Sequence, residues 1–521
     1  MNRFDEEVAS LGIQVVDVAP ADDKVKVIVN NRELEIVGWN GPNDPENPFN
    51  WSKARKLLIT ILCLTATMTC TMNGTALTVA WKDTNEYFGI SDDTFPNSYW
   101  PVASWTIGGA VFMMVFLPLM EDFSVKWGYL ASYAMFLLFV FPQALVQNFA
   151  GFIIIRFFAG GFVSLVANCI VGICCDIWDG ERGRSIPVAS YITLYLSGSS
   201  MGPVMGAAVL TKLHWKWIIW IQLIFYSALL PLFFFILPET RGSNILRQRA
   251  QHIRKTTNRK AFSAEELDRP SPLATLAFSV KRPFYLFFTE WVVFSFTVWS
   301  SFAVGLVYLF TQSTEQVFSH LYGWTSIQAG LIQSAIVAGM LLAWLANFYQ
   351  VHLYFASASR NAENPGEPIP EAHLYHSIFG CFVGCGGGMF IYGWGAYSSV
   401  PWMVPALGLV MVGYGINAIV IAVAAYVTAC YSKYAVSAVA SVCAGENLFA
   451  ALMPLAASTM YTKLGFHWAS SLLGIFSVFL GLAPVVMLFW GRKIRERSPF
   501  ISEARYGDGG DGGSCEGLVG N

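Results

Sequence analysis

The sequence predicts an all-α polytopic membrane protein, twelve transmembrane helices in two six-helix bundles, on three observations. The chain of 521 residues is 55% hydrophobic and only 13% charged, too few charges to cover the surface of a water-soluble protein of that length. Its apolar residues gather into twelve runs, each long enough to cross a ~30 Å hydrocarbon layer as a helix. A long polar interruption, residues 239–285, parts those runs six and six.

Taken in order, residues 1–52 are polar and mixed in charge (Asp5, Glu6, Glu7, Asp22, Asp23, Lys24). They lack the apolar core of a secretory signal and read as a flexible soluble tail. Residues 53–238 form the N-terminal six-helix bundle, with runs at 56–80, 98–118, 128–147, 150–175, 185–210 and 217–237. The basic linker 239–285, which contains RQRAQHIRK, reads as a solvated connector touching anionic lipid headgroups. The C-terminal six-helix bundle, 286–491, has runs at 286–311, 327–347, 374–395, 400–428, 433–460 and 467–490. Its Pro-rich insert at 348–373 reads as a loop. Residues 492–521 form a second tail, whose glycine-rich end cannot support a core.

Charge sets the expected orientation. With an even number of spans both termini share a side, and the loops of that side hold 22 Lys and Arg against four (Lys82, Lys212, Lys216, Lys463) on the other. The positive-inside rule puts both termini and the linker in the cytoplasm. The plasma membrane is the expected location, with the vacuole or another internal membrane as the alternative. Of ten cysteines nine lie in or beside the runs, where thiols behave as small hydrophobes. Cys381 and Cys385 share a helix face, but no histidine or carboxylate completes a metal set, so neither metal nor cofactor is expected.

One run breaks the usual rules of helix composition. GSSMGPVMGAAVL, residues 198–210, spaces Gly198, Gly202 and Gly206 four apart with Pro203 among them. In water each glycine would cost a helix roughly 0.5–1 kcal/mol relative to alanine, and the proline about 3 kcal/mol. In lipid, helices gain little from apolar burial against one another, so a smooth glycine groove that lets backbones approach is worth more. The proline is tolerated where neighbours satisfy the freed carbonyl.

Several segments resemble the major facilitator superfamily, in particular its fungal twelve-helix drug:proton antiporter branch. They are NPFNWSKARK before the first run, RFFAGGFVSLVANCIVG in the fourth, DIWDGERGR after it, the glycine stretch of the fifth, and PETRG after the sixth. In the second half TEWVVFSFTVWSSFAVGLVYLF, PEAHL, GWGAYSSVPW, AAYVTACY and LGFHWASSLLG also fit. The resemblance covers roughly residues 45–500. It implies two bundles rocking about a midplane site, and a bundle-interface antiporter motif of Gly198, Gly202, Pro203 and Gly206 that meets the opposite bundle at the pivot. The family's cytoplasmic loop between helices 2 and 3 is altered here. In LPLMEDFSVKWGY, Glu121 is in place, but Ser124, Val125 and Lys126 stand where Gly-Arg-Arg is usual. One lysine cannot make arginine's bidentate pairs, so the cytoplasmic gate is expected among Glu121, Lys126, Glu181 and Arg182.

An ionisable side chain inside a span costs about 2.5–3.5 kcal/mol on insertion scales and so needs a reason. Three stand out as candidates for proton coupling or intramembrane charge: Glu446 near the middle of helix 11, Arg156 in helix 4 and Glu290 near the start of helix 7. The resemblance implies a cavity lined by helices 1, 4, 7 and 10. Polarity there selects Asn73, Asn168, Trp299, Tyr308, Tyr414 and Asn417, with Tyr191, Tyr195 and Gln222 on helices 5 and 6. The reading these features imply is a secondary transporter, not an enzyme, that exports small amphipathic organic compounds (drugs, toxins or secondary metabolites) in exchange for protons. The alternative is a proton-coupled importer of an organic acid, polyamine or other nutrient. A small organic substrate, protons and the bilayer are the expected partners. Nucleic acid is not among them, and a monomer is expected to suffice.

Overall fold

A computed structural model describes residues 14–18, 25–29, 32–92, 96–257, 259–267, 272–361, 365–498 and 500–501. Among these, the first half contributes α1 (Lys53–Thr75), α2 (Trp100–Phe123), α3 (Val125–Val140), α4 (Phe149–Ile177), α5 (Gly180–Leu210) and α6 (Lys216–Ile236). The second contributes α7 (Trp291–Tyr322), α8 (Ser334–Ala356), α9 (spanning 375–394) and α10 (Met403–Tyr431). The last two spans, α11 and α12, share the helical run Ala435–Leu480, parted at Gly465, and α12 continues in Leu482–Arg497. Gly465 sits at φ 77°, ψ 163°, a conformation closed to side-chain-bearing residues. Among the described residues, eleven segments are long and apolar enough to cross a membrane. The twelfth, α5, has 31 residues, and its glycines, serines and threonines lower its hydropathy.

Local chemistry sets the helix starts. Ser52 caps α1 by accepting from the Arg55 amide, and Asn148 caps α4 by accepting from the Gly151 amide at 2.7 Å. Ser124, extended at φ −175°, separates α2 from α3. Within α1 the hydroxyls of Thr60, Thr65, Thr67 and Thr71 each donate to the carbonyl four residues back, so threonine is tolerated without an outside partner.

Within the first half α1 packs on α5, and α4 lies between α2 and α3. Within the second, α7 packs on α11 and α12, and α10 on α8 and α9. The heaviest packing between the halves is α2 on α11 and α5 on α8, and α5 also meets α7 and α10. The stretch Gly380–Gly387 of α9 is π-helical, and there Gly384 lies so close to α10 that a Cβ would stand 2.9 Å from the Met411 carbonyl.

Two sequence expectations are corrected. The N-terminal segment is not simply a flexible tail. Its strands β1 (Gln14–Val18), β2 (Val25–Val29) and β3 (Arg32–Ile36) form an antiparallel meander, and β3 pairs in parallel with a linker strand, β4 (Ala261–Phe262). Beyond β3, Arg249 of the linker helix Gly242–Thr257 pairs with Asp44 at 2.9 Å and Glu46 at 2.6 Å, and Val37 packs on Ala250 and Ala261. The alternation VKVIV and RELEI carried this strand signal. The insert at 348–373 is also less loop-like than expected, since α8 runs on to Ala356. Residues 1–13 and 502–521 lie outside the described residues.

Candidate functional site

Between the halves lies a cavity of about 360 Å³, walled by α2, α4, α5, α10 and α11 and reaching toward the linker end. Most of the wall is apolar, as at Met113, Leu117 and Val188, and it also carries charged and amide side chains, among them Asp176, Arg184, Arg241, Asn347 and Gln350. Three acids line the cavity: Asp176, bonded to Thr240, Glu181, bonded to Tyr354, and Glu446 on α11. The Glu446 carboxylate is buried and accepts a hydrogen bond from the Ser300 hydroxyl of α7. Gly109 of α2 leaves room beside it, because a Cβ there would meet the Asn447 side-chain oxygen at 3.0 Å. Tyr191 and Tyr195, one turn apart on α5, also line the space. Asn168 does too, with its amide held by the Ser164 carbonyl at 2.8 Å.

Other residues expected at the cavity lie elsewhere. Arg156 is fully buried inside the first half. Its guanidinium donates to the Asn73 main-chain oxygen at 2.7 Å, the Asn73 side-chain oxygen at 3.0 Å, Pro101 O at 3.1 Å and Gly74 O. The arginine thereby ties the last turn of α1 to the first turn of α2 and acts as a staple. Asn73 is consumed by this arrangement and donates to Gln222 of α6 at 2.9 Å. Trp299 reaches Cys381 Sγ at 3.4 Å, and Tyr308 meets the Ser199 hydroxyl at 3.3 Å. Tyr414 is paired with His376 Nε2 at 2.6 Å. Asn417 ties α10 to Thr193 of α5 at 3.0 Å and to the Met340 carbonyl of α8 at 2.9 Å. Polarity alone did not separate groups that face a cavity from groups that hold helices together.

Glu290 is likewise placed away from the cavity. It is the residue before α7, buried, accepting from Tyr431 at 3.0 Å and from Ser498, just past α12, at 2.7 Å. Its two hydroxyl donors make this a structural tie among chain segments at the linker end.

The glycine motif also departs from expectation. Gly198, Gly202 and Gly206 face α1 of the same half, not the opposite bundle. A Cβ on them would stand 2.0 Å from Thr71 Oγ1, 2.1 Å from Thr75 Oγ1 and 2.2 Å from the Ala76 carbonyl. The Thr75 hydroxyl donates to the Ser199 carbonyl at 2.6 Å, the bond that only this close approach allows. The other face of α5 meets the second half: a Cβ on Gly330 would lie 3.2 Å from the Pro203 carbonyl and 3.1 Å from the Ala207 Cβ. Trp344 of α8 donates to Ser190 at 3.0 Å.

At the linker end the gate residues divide. Glu181 crosses between the halves, accepting from Tyr354 of α8 at 2.7 Å and lying 3.9 Å from His373 Nε2. The Tyr354 ring stacks on His373 with centroids 3.7 Å apart. Arg182 lies over Phe355 at 5.6 Å. Lys126 stays within the first half, over Phe234 at 5.8 Å. Ser124, at a position where glycine is usual, donates to Glu239 instead. The Glu121 side chain lies outside the described residues. Tyr354 and His373 went unnoticed in the sequence, although PEAHL, which contains His373, fitted a pattern.

The Major Facilitator Superfamily matches residues 61–357. "MFS-type transporter acdC" of Aspergillus candidus is 30% identical over 498 residues, 94% of each chain. The "Citrinin biosynthesis cluster MFS transporter mrr1" of Monascus ruber is 30% identical over 90% of this chain and 93% of its own. The "Ascochitine biosynthesis cluster MFS transporter" of Didymella fabae is 30% identical over 89% of each. Among solved structures, the proton:xylose symporter XylE superposes with a TM-score of 0.58 at 15% identity, over 84% of this chain and 96% of that one. At that identity the likeness speaks for the fold alone.

Proposed function

We propose, on the premise that the chain belongs to the Major Facilitator Superfamily and is a membrane transporter and not an enzyme, that it exports small amphipathic organic compounds in exchange for protons. The observation that carries this reading is the largely apolar cavity between the halves, with Glu446 the buried acid of its α11 wall, while its other two acids, Asp176 and Glu181, are tied to Thr240 and Tyr354. A pocket of that lining suits an organic molecule with a large apolar surface. A carboxylate whose surroundings alternate between wet and dry changes its proton affinity as they change, which is the property coupling requires. The relatives named for the citrinin and ascochitine biosynthesis clusters support a secondary metabolite as the cargo.

In this reading the two halves, divided by the linker 239–285, rock about the cavity, and α5 is the element both use. Its glycine face is fixed to α1, and its other face slides against α7 and α8. Each charge moved is worth about 2.3 kcal/mol per 100 mV, enough to sustain a useful gradient. In this reading the linker, both tails and the Glu181 gate face the cytoplasm, which the charge asymmetry of the loops supports.

The test is uptake into inside-out vesicles of a strain overproducing the chain, with the lumen made acidic and a panel including citrinin and ascochitine offered outside. Accumulation that collapses with the gradient supports export by exchange. Accumulation driven only by a gradient of opposite sign, or in right-side-out vesicles with outside acid, would identify a symporting importer instead.

A further inference from the structure

At the end of the molecule away from the linker, a second carboxylate joins the halves. Trp81, just beyond α1, points its indole Nε1 at Glu315 of α7, 2.9 Å from each carboxylate oxygen. Ser326, at the start of the short helix Ser326–Leu331, donates to the same carboxylate at 2.6 Å. The next elements in this region are tightly closed: a Cβ on Gly330 would stand 3.0 Å from Val79 and 3.2 Å from the Pro203 carbonyl. The pattern mirrors the linker end, where Tyr354 of the second half donates to Glu181 of the first at 2.7 Å. Each half thus supplies one carboxylate and one aromatic donor, at opposite ends of the cavity.

We propose that Trp81 and Glu315 form the latch that holds the far mouth of the cavity shut, and that this contact breaks whenever the cavity opens to that side. A hydrogen bond to an ionised acceptor is stronger than one between neutral groups. It is still a single contact that two rocking halves can break and remake, unlike the interdigitated glycine packing of α5 on α1. The aromatic donor is rigid, so a small rotation of either half removes it from both oxygens together. Ser326 moves with Glu315, since both belong to the second half, and keeps the carboxylate solvated by a hydroxyl when the indole leaves. Trp81 and Glu315 are positioning residues: they set which mouth is open and touch no transported molecule.

The test uses Cys443, which lines the cavity. Full-length protein in right-side-out and inside-out vesicles is exposed to a membrane-impermeant maleimide, and modification of the Cys443 peptide is followed by mass spectrometry. Trp81→Phe keeps the ring and removes the donor; it should raise labelling from the far face roughly tenfold and lower it from the linker face. Glu315→Gln keeps an acceptor of the same shape without its charge and should give a smaller rise in the same direction. It carries the test if the tryptophan variant fails to reach the membrane. Tyr354→Phe should raise labelling from the linker face only. Far-face labelling equal to wild type in both Trp81→Phe and Glu315→Gln would overturn the proposal. Labelling needs neither substrate nor proton gradient, so its failure is distinct from failure of the export reading.

Discussion

Arg156 binds Asn73 twice, through the main-chain oxygen at 2.7 Å and the side-chain oxygen at 3.0 Å, so one guanidinium fixes the last turn of α1. Two further carbonyls, of Gly74 and Pro101, complete its partners. An arginine in a transport protein invites a role in moving charge, yet every partner of this one is immobile backbone or amide.

Arg156→Met should therefore act on stability before it acts on transport. It removes the guanidinium donor from the buried Asn73 and Gly74 carbonyls, each worth about 1–3 kcal/mol when left without one. Thermal denaturation in detergent should show a drop of many degrees, with little protein reaching the membrane. Arg156→Lys should rescue only in part, because an ammonium cannot span the fork of acceptors.

Gly202→Val should disrupt the α1–α5 pair, since its Cβ would stand 2.1 Å from Thr75 Oγ1 and 2.8 Å from the Met72 carbonyl. Overpacking of a rigid contact costs about 1–3 kcal/mol, and more where the obstacle is backbone. Gly183→Ala is the control, because nothing lies within 4 Å of its Cβ position. The comparison is read as melting temperature and as yield of folded protein.

Glu290→Gln should leave coupled transport within about twofold of wild type, because the amide oxygen still accepts from Tyr431 and Ser498. A complete loss of gradient-driven uptake, with the protein folded, would put Glu290 in the proton path after all.

The clamp between the N-terminal segment and the linker should be insensitive to pH across the physiological range. Burial pushes the Asp44 carboxyl up, but hydrogen bonds from the Asn40 and Glu46 amides and from Arg249 outweigh it and hold the group below the ordinary carboxylate value. A lowered folded-state value means stabilisation that is complete above the unfolded value, about 3.9, and lost only as pH falls through the folded one. Hydrogen exchange of residues 36–50 should be equally protected at pH 5.5 and 7.5 once intrinsic rates are corrected. Asp44→Asn should lose protection at both.

The architecture was legible because a bilayer demands long apolar runs, and those announce themselves without any knowledge of packing. α5 was readable as a close-packing helix from glycine spacing, since only small residues let backbones meet. Which neighbour it meets was not readable: period four marks a face without naming the helix opposite. The same limit explains Asn73, Tyr308 and Asn417, which polarity selects equally well as cavity groups or as helix ties. Glu446 differed in having no donor nearby in sequence except Asn447, whose amide turns back to the Cys443 carbonyl. Trp81 and Glu315 escaped notice because they are far apart in the chain and each looks ordinary at a helix end.

The most direct measurement is proton flux in proteoliposomes holding wild type or Glu446→Gln, with an internal pH dye and a compound that the vesicle screen has shown to be transported. Wild type should release lumenal protons when that compound is added, and the variant should bind the compound with similar affinity yet move no protons. Proton movement at the wild-type rate in Glu446→Gln would contradict the assignment of Glu446 as the coupling acid. Substrate movement without proton movement in wild type would contradict exchange itself.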